Sequence, residues 1–152
     1  MVSRDYEDLF RTLNANKVRY FVVGAHAVAV YAEPRFTKDL DVWIPAALND
    51  SRKLYKALKE FGAPLRGIAP DDFENPKMIL QIGVAPVRID LLMSLPGVSA
   101  QEAWRHRKRS RYGRTPVHVL GLGELIKAKR ATGRPQDRLD LRRLLTKARK
   151  RH

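Results

Sequence analysis

The sequence predicts an α/β (α+β) fold, with strands and helices interleaved over residues 1–104 and a basic, mainly helical part over residues 105–152. Three observations predict it. Short apolar runs of strand length end at glycine or proline. Stretches with apolar residues every three or four positions lie between them. The last third carries helical periodicity broken by Gly133. The chain length of 152 residues fits one domain, 1–152, with enough core to fold without disulfides or metals.

The elements follow in order. Leu9, Phe10 and Leu13 make one face of a short helix, with Ser3 as its N-cap. Residues 20–23 read as a buried strand stopped by Gly24, and the alanine-rich 25–32 as a helix stopped by Pro34. Residues 40–44 read as a second strand ended by Pro45. Leu54, Tyr55, Leu58 and Phe61 fall on one side of a helix capped by Asn49 or Ser51. Residues 62–77, rich in proline and glycine, read as loop. Residues 78–82 and 87–93 read as strands joined by the short connection 83–86. Ser99 and Glu102 have capping-box spacing at the start of a helix that runs through Trp104. The run 105–111 reads as a basic loop, and 117–120 as a last edge strand. Helices then cover 122–132 and 135 to about 149, with Pro135 at the first helical position.

Composition excludes several classes of function. There is no cysteine, so disulfide scaffolds, cysteine zinc sites, iron–sulfur clusters and thiol nucleophiles are ruled out. Residues 21–32, the longest apolar stretch, are too few to span a bilayer and include His26. The acidic N-terminus lacks a signal-peptide pattern, which predicts a cytoplasmic protein without membrane partners. The net charge of +14 is unevenly placed. Residues 1–104 balance 13 Lys and Arg against 13 Asp and Glu, whereas residues 105–152 hold 17 against Glu124, Asp137 and Asp140. A fold needs no such asymmetry. It points to a polyanionic partner, nucleic acid first, over a surface kept basic for solubility.

The candidate chemistry begins at Asp39-Leu40-Asp41. Alternate residues of a strand share a side, so Asp39 and Asp41 point together while Leu40 and Val42 enter the core. Neighbouring carboxylates repel unless a divalent cation lies between them. Asp90 interrupts an apolar strand, with Ile89 and Leu91 facing the other way. If the two strands are neighbours, Asp39, Asp41 and Asp90 form a three-carboxylate cluster suited to one or two Mg²⁺ ions. Gly24, between a strand and a helix, lets a ligand approach the backbone, and the free N–H groups of that helix favour phosphate.

Val23-Gly24-Ala25, a thirteen-residue spacer and Asp39-Leu40-Asp41-Val42 together resemble the signature of the DNA polymerase β-type nucleotidyltransferase superfamily. Asp90, in Arg88-Ile89-Asp90-Leu91-Leu92, matches the third acid of that family. The stretches 124–129 and 133–141 resemble small prokaryotic members, including abortive-infection-type toxins. The resemblance runs from about Tyr20 to Leu145, and Ala25 stands where the family has Gly or Ser. It implies a short mixed sheet flanked by helices. It also implies an NTP substrate, Mg²⁺ or Mn²⁺ held by Asp39, Asp41 and Asp90 as catalytic residues, and phosphates near Gly24 and the backbone of Ala25. Among such toxins the partners implied are a tRNA end and an antitoxin protein.

Helix geometry adds further candidates. Lys129 continues the apolar stripe of Leu122, Leu125 and Ile126, where it either snorkels to water or reaches a buried anion. The resemblance implies a triphosphate contact for it. Asp137 sits one turn before the stripe of Leu141, Leu144, Leu145 and Ala148. By position it complements the helix dipole; by resemblance it belongs to the nucleotide site. Arg134 pairs with Asp137 or contacts phosphate. Arg142, Arg143, Lys147 and Lys150 lie off the stripe, where they can carry a nucleic-acid surface. His26 reads as a core or lining residue, Trp104 and Tyr112 as packing residues. His106, His118 and His152 lack metal-ligand spacing. No serine has a nucleophile-elbow context, and there is no P-loop lysine.

The leading expectation is therefore a metal-dependent nucleotidyltransferase that moves an NMP from an NTP to a hydroxyl acceptor, RNA before a small molecule. Its rivals are a catalytically degenerate relative serving as an RNA- or protein-binding module, and an antibiotic-type nucleotidyltransferase.

Overall fold

The computed structural model describes residues 3–32, 39–84 and 87–151. The elements are α1 (Arg4–Ala15), β1 (Phe21–Val23), α2 (Gly24–Tyr31), β2 (Asp39–Trp43), α3 (Ser51–Phe61), β3 (Ile79–Ile82), β4 (Arg88–Leu92), α4 (Ala100–His106), β5 (Lys108–Tyr112), β6 (Thr115–Val119), α5 (Leu122–Thr132) and α6 (Pro135–Arg151). Two 3₁₀ turns, Ala46–Leu48 and Pro70–Glu74, complete them, the second inside the stretch expected to be loop. Pro34, the expected stop of α2, and part of the connection 83–86 lie outside the described residues.

The strands form one mixed sheet in the order β3-β4-β2-β1-β6-β5. β1 is interior, with Phe21, Val22 and Val23 all buried, β2 antiparallel on one side and β6 parallel on the other; it ends after three residues where α2 begins at Gly24. β2 and β4 are parallel, which requires a long crossover, and α3 supplies much of it. α1 buries Tyr6, Leu9, Phe10 and Leu13, and Ser3 Oγ accepts from the Tyr6 N–H as its cap. Burying each such large apolar side chain contributes roughly 1.5–3 kcal/mol. α1 packs on α3 and β6, α2 lies against β1 and β2, and α5 packs on α6.

Three expectations change. The cap of α3 is Asp50, whose Oδ1 accepts from the Arg52 N–H at 2.9 Å. Asn49 is engaged elsewhere, bonding both the N–H and the carbonyl of Arg19. Residues 105–111 are not loop but the end of α4 and strand β5, paired antiparallel with β6 through a two-residue turn at Gly113 and Arg114. The expected edge strand 117–120 is interior, since β5 covers it.

Candidate active site

Strand alternation places the acids. In β2, Leu40 and Val42 are fully buried while Asp39 and Asp41 are half-buried on the other side. In β4, Ile89 and Leu91 are buried and Asp90 faces the same way as the β2 acids. The register pairs Asp41 directly with Asp90 and Asp39 with Arg88. Burial first, then the like charges of Asp90 and Asp39, push the Asp41 carboxyl up to about 6, against the opposing pull of Lys129 and Arg88. Asp90 is clasped: Arg88 Nε donates to its Oδ1 at 3.1 Å and Nη2 to its Oδ2 at 3.0 Å. Sequence reasoning missed Arg88 as a site residue. The signal was period two, which places Arg88 and Asp90 on one side of the strand. The Tyr6 hydroxyl donates to the Arg88 carbonyl at 3.1 Å and ties α1 to the start of β4.

Gly24 ends β1 and begins α2 with φ +66°, the left-handed region that favours glycine. A Cβ there would overlap Asp41 Oδ2, so the group that approaches this glycine is the carboxylate across the β1–β2 ladder. Half-buried Ala25 follows as the second residue of the helix. His26 is next, its ring edge-on to Tyr6. Its Nε2 is buried without a hydrogen-bond partner among the described residues.

The α5–α6 corner closes the other side. Lys129 is buried, and its Nζ lies 3.1 Å from Asp137 Oδ1 and 3.2 Å from Asp140 Oδ2. The stripe lysine does not snorkel; the buried anions it reaches are the protein's own. Asp137 Oδ2 also accepts from Thr132 Oγ1 at 2.7 Å, from Arg134 Nε at 2.8 Å and from the Arg134 N–H at 3.2 Å. Burial acts to raise the Asp137 carboxyl, but these donors and Lys129 outweigh it and hold it well below the usual carboxylate range. Asp137 is thus a structural keystone of the corner. Arg134 pairs with it yet keeps a largely exposed side chain. Gly24, Asp41, Lys129, Arg134 and Asp137 together line one cleft, floored by Leu92 and Leu125.

Three carboxylates on one side of adjacent strands are hard oxygen donors of the kind Mg²⁺ and Mn²⁺ take. Asp41 is half-buried beside the like charges of Asp90 and Asp39, which a divalent ion would offset. The donor set therefore fits a divalent ion. As the side chains stand, no three His, Asp or Glu residues among the described residues converge on one point, and Arg88 supplies the cation at Asp90.

The remaining candidates separate. Arg143, Lys147 and Lys150 line a cleft of about 520 Å³ against the end of α2 at Val30, Tyr31 and Ala32; Arg142 is exposed and does not line it. Tyr112 packs on Tyr6 and Phe10, and its hydroxyl accepts from the Ser3 N–H. His106 Nδ1 lies 2.6 Å from buried Glu124. No helix among the described residues is long and apolar enough to cross a membrane.

No protein-family model matches the sequence, and no curated protein matches it. Solved structures do match in shape. TM1012 from Thermotoga maritima, assigned as a nucleotidyltransferase, superposes with a TM-score of 0.58 at 16% identity, over 96% of both chains. The lincosamide antibiotic adenylyltransferase LnuA, bound to lincomycin, gives 0.58 at 13% identity, over 94% of this chain and 96% of its own. ANT(2″)-Ia in complex with adenylyl-2″-tobramycin gives 0.58 at 11% identity, over 93% and 86%. With its mixed sheet, paired strand acids and glycine-led α2, this chain has the nucleotidyltransferase fold.

Proposed function

We propose that the protein transfers a nucleoside monophosphate from an NTP to a hydroxyl acceptor, releasing pyrophosphate. The observation that carries this reading is Asp41: a half-buried carboxylate pressed between Asp39 and Asp90, opposite Lys129 and Arg134 across one cleft. Asp39 and Asp41 would hold Mg²⁺ or Mn²⁺, and Asp90 would complete the set, where Arg88 now supplies the cation. When bound, the metal neutralises charge on the phosphates and lowers the cost of deprotonating the attacking hydroxyl. The backbone N–H groups at the start of α2, from Gly24 and Ala25, face the phosphates. Arg134 offers its exposed guanidinium to them. Asp137 holds Arg134 at the cleft, and Lys129, paired with Asp137, adds positive potential at Asp41.

RNA is the acceptor we favour. The whole excess of +14 lies in the last third, and three of its cations line one cleft beside α2. Taken with the resemblance to abortive-infection toxins, this extends to a tRNA end as acceptor and an antitoxin as partner. The second reading is a small-molecule acceptor, favoured by the antibiotic adenylyltransferases among the structural neighbours. The Arg88–Asp90 clasp favours the third, a non-catalytic module.

Incubation with each labelled NTP, total RNA and a lincosamide or an aminoglycoside, with and without Mg²⁺ or Mn²⁺, tests these readings together. Metal-dependent label on RNA that is lost in Asp41→Asn supports the first. Label on a lincosamide or aminoglycoside, and none on RNA, transfers support to the second. Label on no acceptor, with RNA still bound, leaves the third.

A further inference from the structure

A second cationic feature lies at the other end of β1 from Gly24. Arg107, just after α4, has its guanidinium 3.9 Å from the centre of the Trp104 ring. Its Nη1 donates to the Trp104 carbonyl at 2.6 Å and its Nε to His118 Nδ1 at 3.2 Å. Arg19 lies 5.2 Å from the same ring, and its backbone is bonded twice to Asn49. Arg107 is held below its ordinary value by burial and by the nearby charges of Arg109 and Arg19. His118 is lowered by burial, Arg107 and Arg109. Among the described residues no carboxylate forms an ion pair with Arg19, Arg107 or Arg109.

Like charges therefore stand together without a carboxylate partner among the described residues, and Arg107 is fixed in place. Beside them is a cleft of about 400 Å³ lined by Lys17, Arg19, Trp104 and His118, with no acid in its wall. Lys17 enters it from a left-handed backbone position, φ 56°, that glycine fills more readily. Edge strand β5 runs on from Arg107 with Lys108, Arg109 and Arg111 exposed and its outer edge unpaired in the sheet. Arg109 and Arg111 share a side of that strand, about 7 Å apart.

We propose that this cleft and the β5 edge bind the phosphate backbone of RNA, with Arg19, Arg107 and Arg109 as phosphate contacts. Guanidinium groups match phosphate through paired N–H donors, and Arg107 is already oriented by its stacking and hydrogen bonds. A row of like charges with no acid among them suits a polyanionic backbone, whereas the core of a protein–protein interface is depleted in charged residues as a class. The inference goes beyond the transfer reaction, because it requires neither NTP nor metal.

The test is fluorescence anisotropy with a labelled 25-nucleotide RNA, without NTP or metal, over a salt series. The triple variant R19Q/R107Q/R109Q should bind at least tenfold more weakly at moderate salt. The slope of log K against log salt should flatten by about 2, from ~0.7 per lost contact. Arg19 and Arg107 also pack on Trp104, so the exposed single variants R109Q and R109E, with unchanged melting curves, give a second reading. Both should weaken binding, R109E more. Triple-variant affinity within twofold of the parent, an unchanged salt slope, or a parent that binds no RNA overturns the proposal. So does displacement of the RNA by poly-glutamate as readily as by unlabelled RNA at equal charge, which points to an acidic protein instead. The labelled-NTP assay fails or succeeds separately: transfer to RNA with unaltered binding by the triple variant rejects this cleft alone. RNA binding sensitive to the triple change, with no transfer to RNA, rejects only the RNA-acceptor reading.

Discussion

Asp41 and Asp90 are direct register partners on parallel strands, and Arg88 clasps Asp90 through both carboxylate oxygens. One acid of the pair is neutralised by its own strand. The other is half-buried, and burial first, then the like charges of Asp90 and Asp39, push its carboxyl up to about 6.

That asymmetry sets a pH dependence. The folded-state value of Asp41 lies above the ordinary carboxylate value, so its contribution to stability is fully present below about pH 4. It is lost as pH rises through about 6. In metal-free buffer Asp41→Asn should therefore be more stable than the parent at pH 7, on the order of 1–3 kcal/mol, with the difference vanishing below about pH 4. Thermal melts across pH 3.5–8 measure this; a variant no more stable at pH 7 contradicts it.

Arg88 competes with any cation for Asp90. Arg88→Gln should tighten Mn²⁺ binding several-fold, read by titration of free Mn²⁺ in electron paramagnetic resonance. Equal affinity in the two proteins would mean that Asp90 is not a ligand.

Gly24→Ala meets both a left-handed backbone and the Asp41 carboxylate. A loss of at least about 1–2 kcal/mol is expected from the backbone alone. Shortening the facing side chain in Gly24→Ala/Asp41→Gly should recover part of the further loss. Additive loss in urea unfolding of the double variant would show that the two residues do not touch.

Lys129→Ala removes the Nζ that buried Asp137 and buried Asp140 both reach, and should cost about 3–5 kcal/mol. Exposed Lys127→Ala should change stability by no more than about 0.5 kcal/mol. Because the Asp137 carboxyl is held low, the corner is at full strength above about pH 4 and weakens as pH falls further. Equal unfolding midpoints for the two variants would remove Lys129 from the corner.

Much of this was legible in the sequence, because some patterns carry local geometry. The alternation Asp39-Leu40-Asp41 and Ile89-Asp90-Leu91 dictates which side chains leave the core, and period two holds in any sheet. Gly24 marked a close approach to the backbone, expected from a ligand and made by Asp41, and Lys129 on an apolar stripe left water or a buried anion open, of which the second holds. The charge asymmetry was simple counting. Strand β5 was obscured by its charged residues, which an edge strand tolerates on its exposed side; the turn at Gly113 and Arg114 was the unused signal. What only the tertiary structure decided depends on pairing between distant segments. Parallel register set Asp41 beside Asp90, Asp41 itself filled the space above Gly24, and the fold of α6 against α5 chose Asp137 and Asp140 as the anions for Lys129. Hydrophobic periodicity specifies a buried face but not its neighbour, so such partners become visible only once the elements are packed.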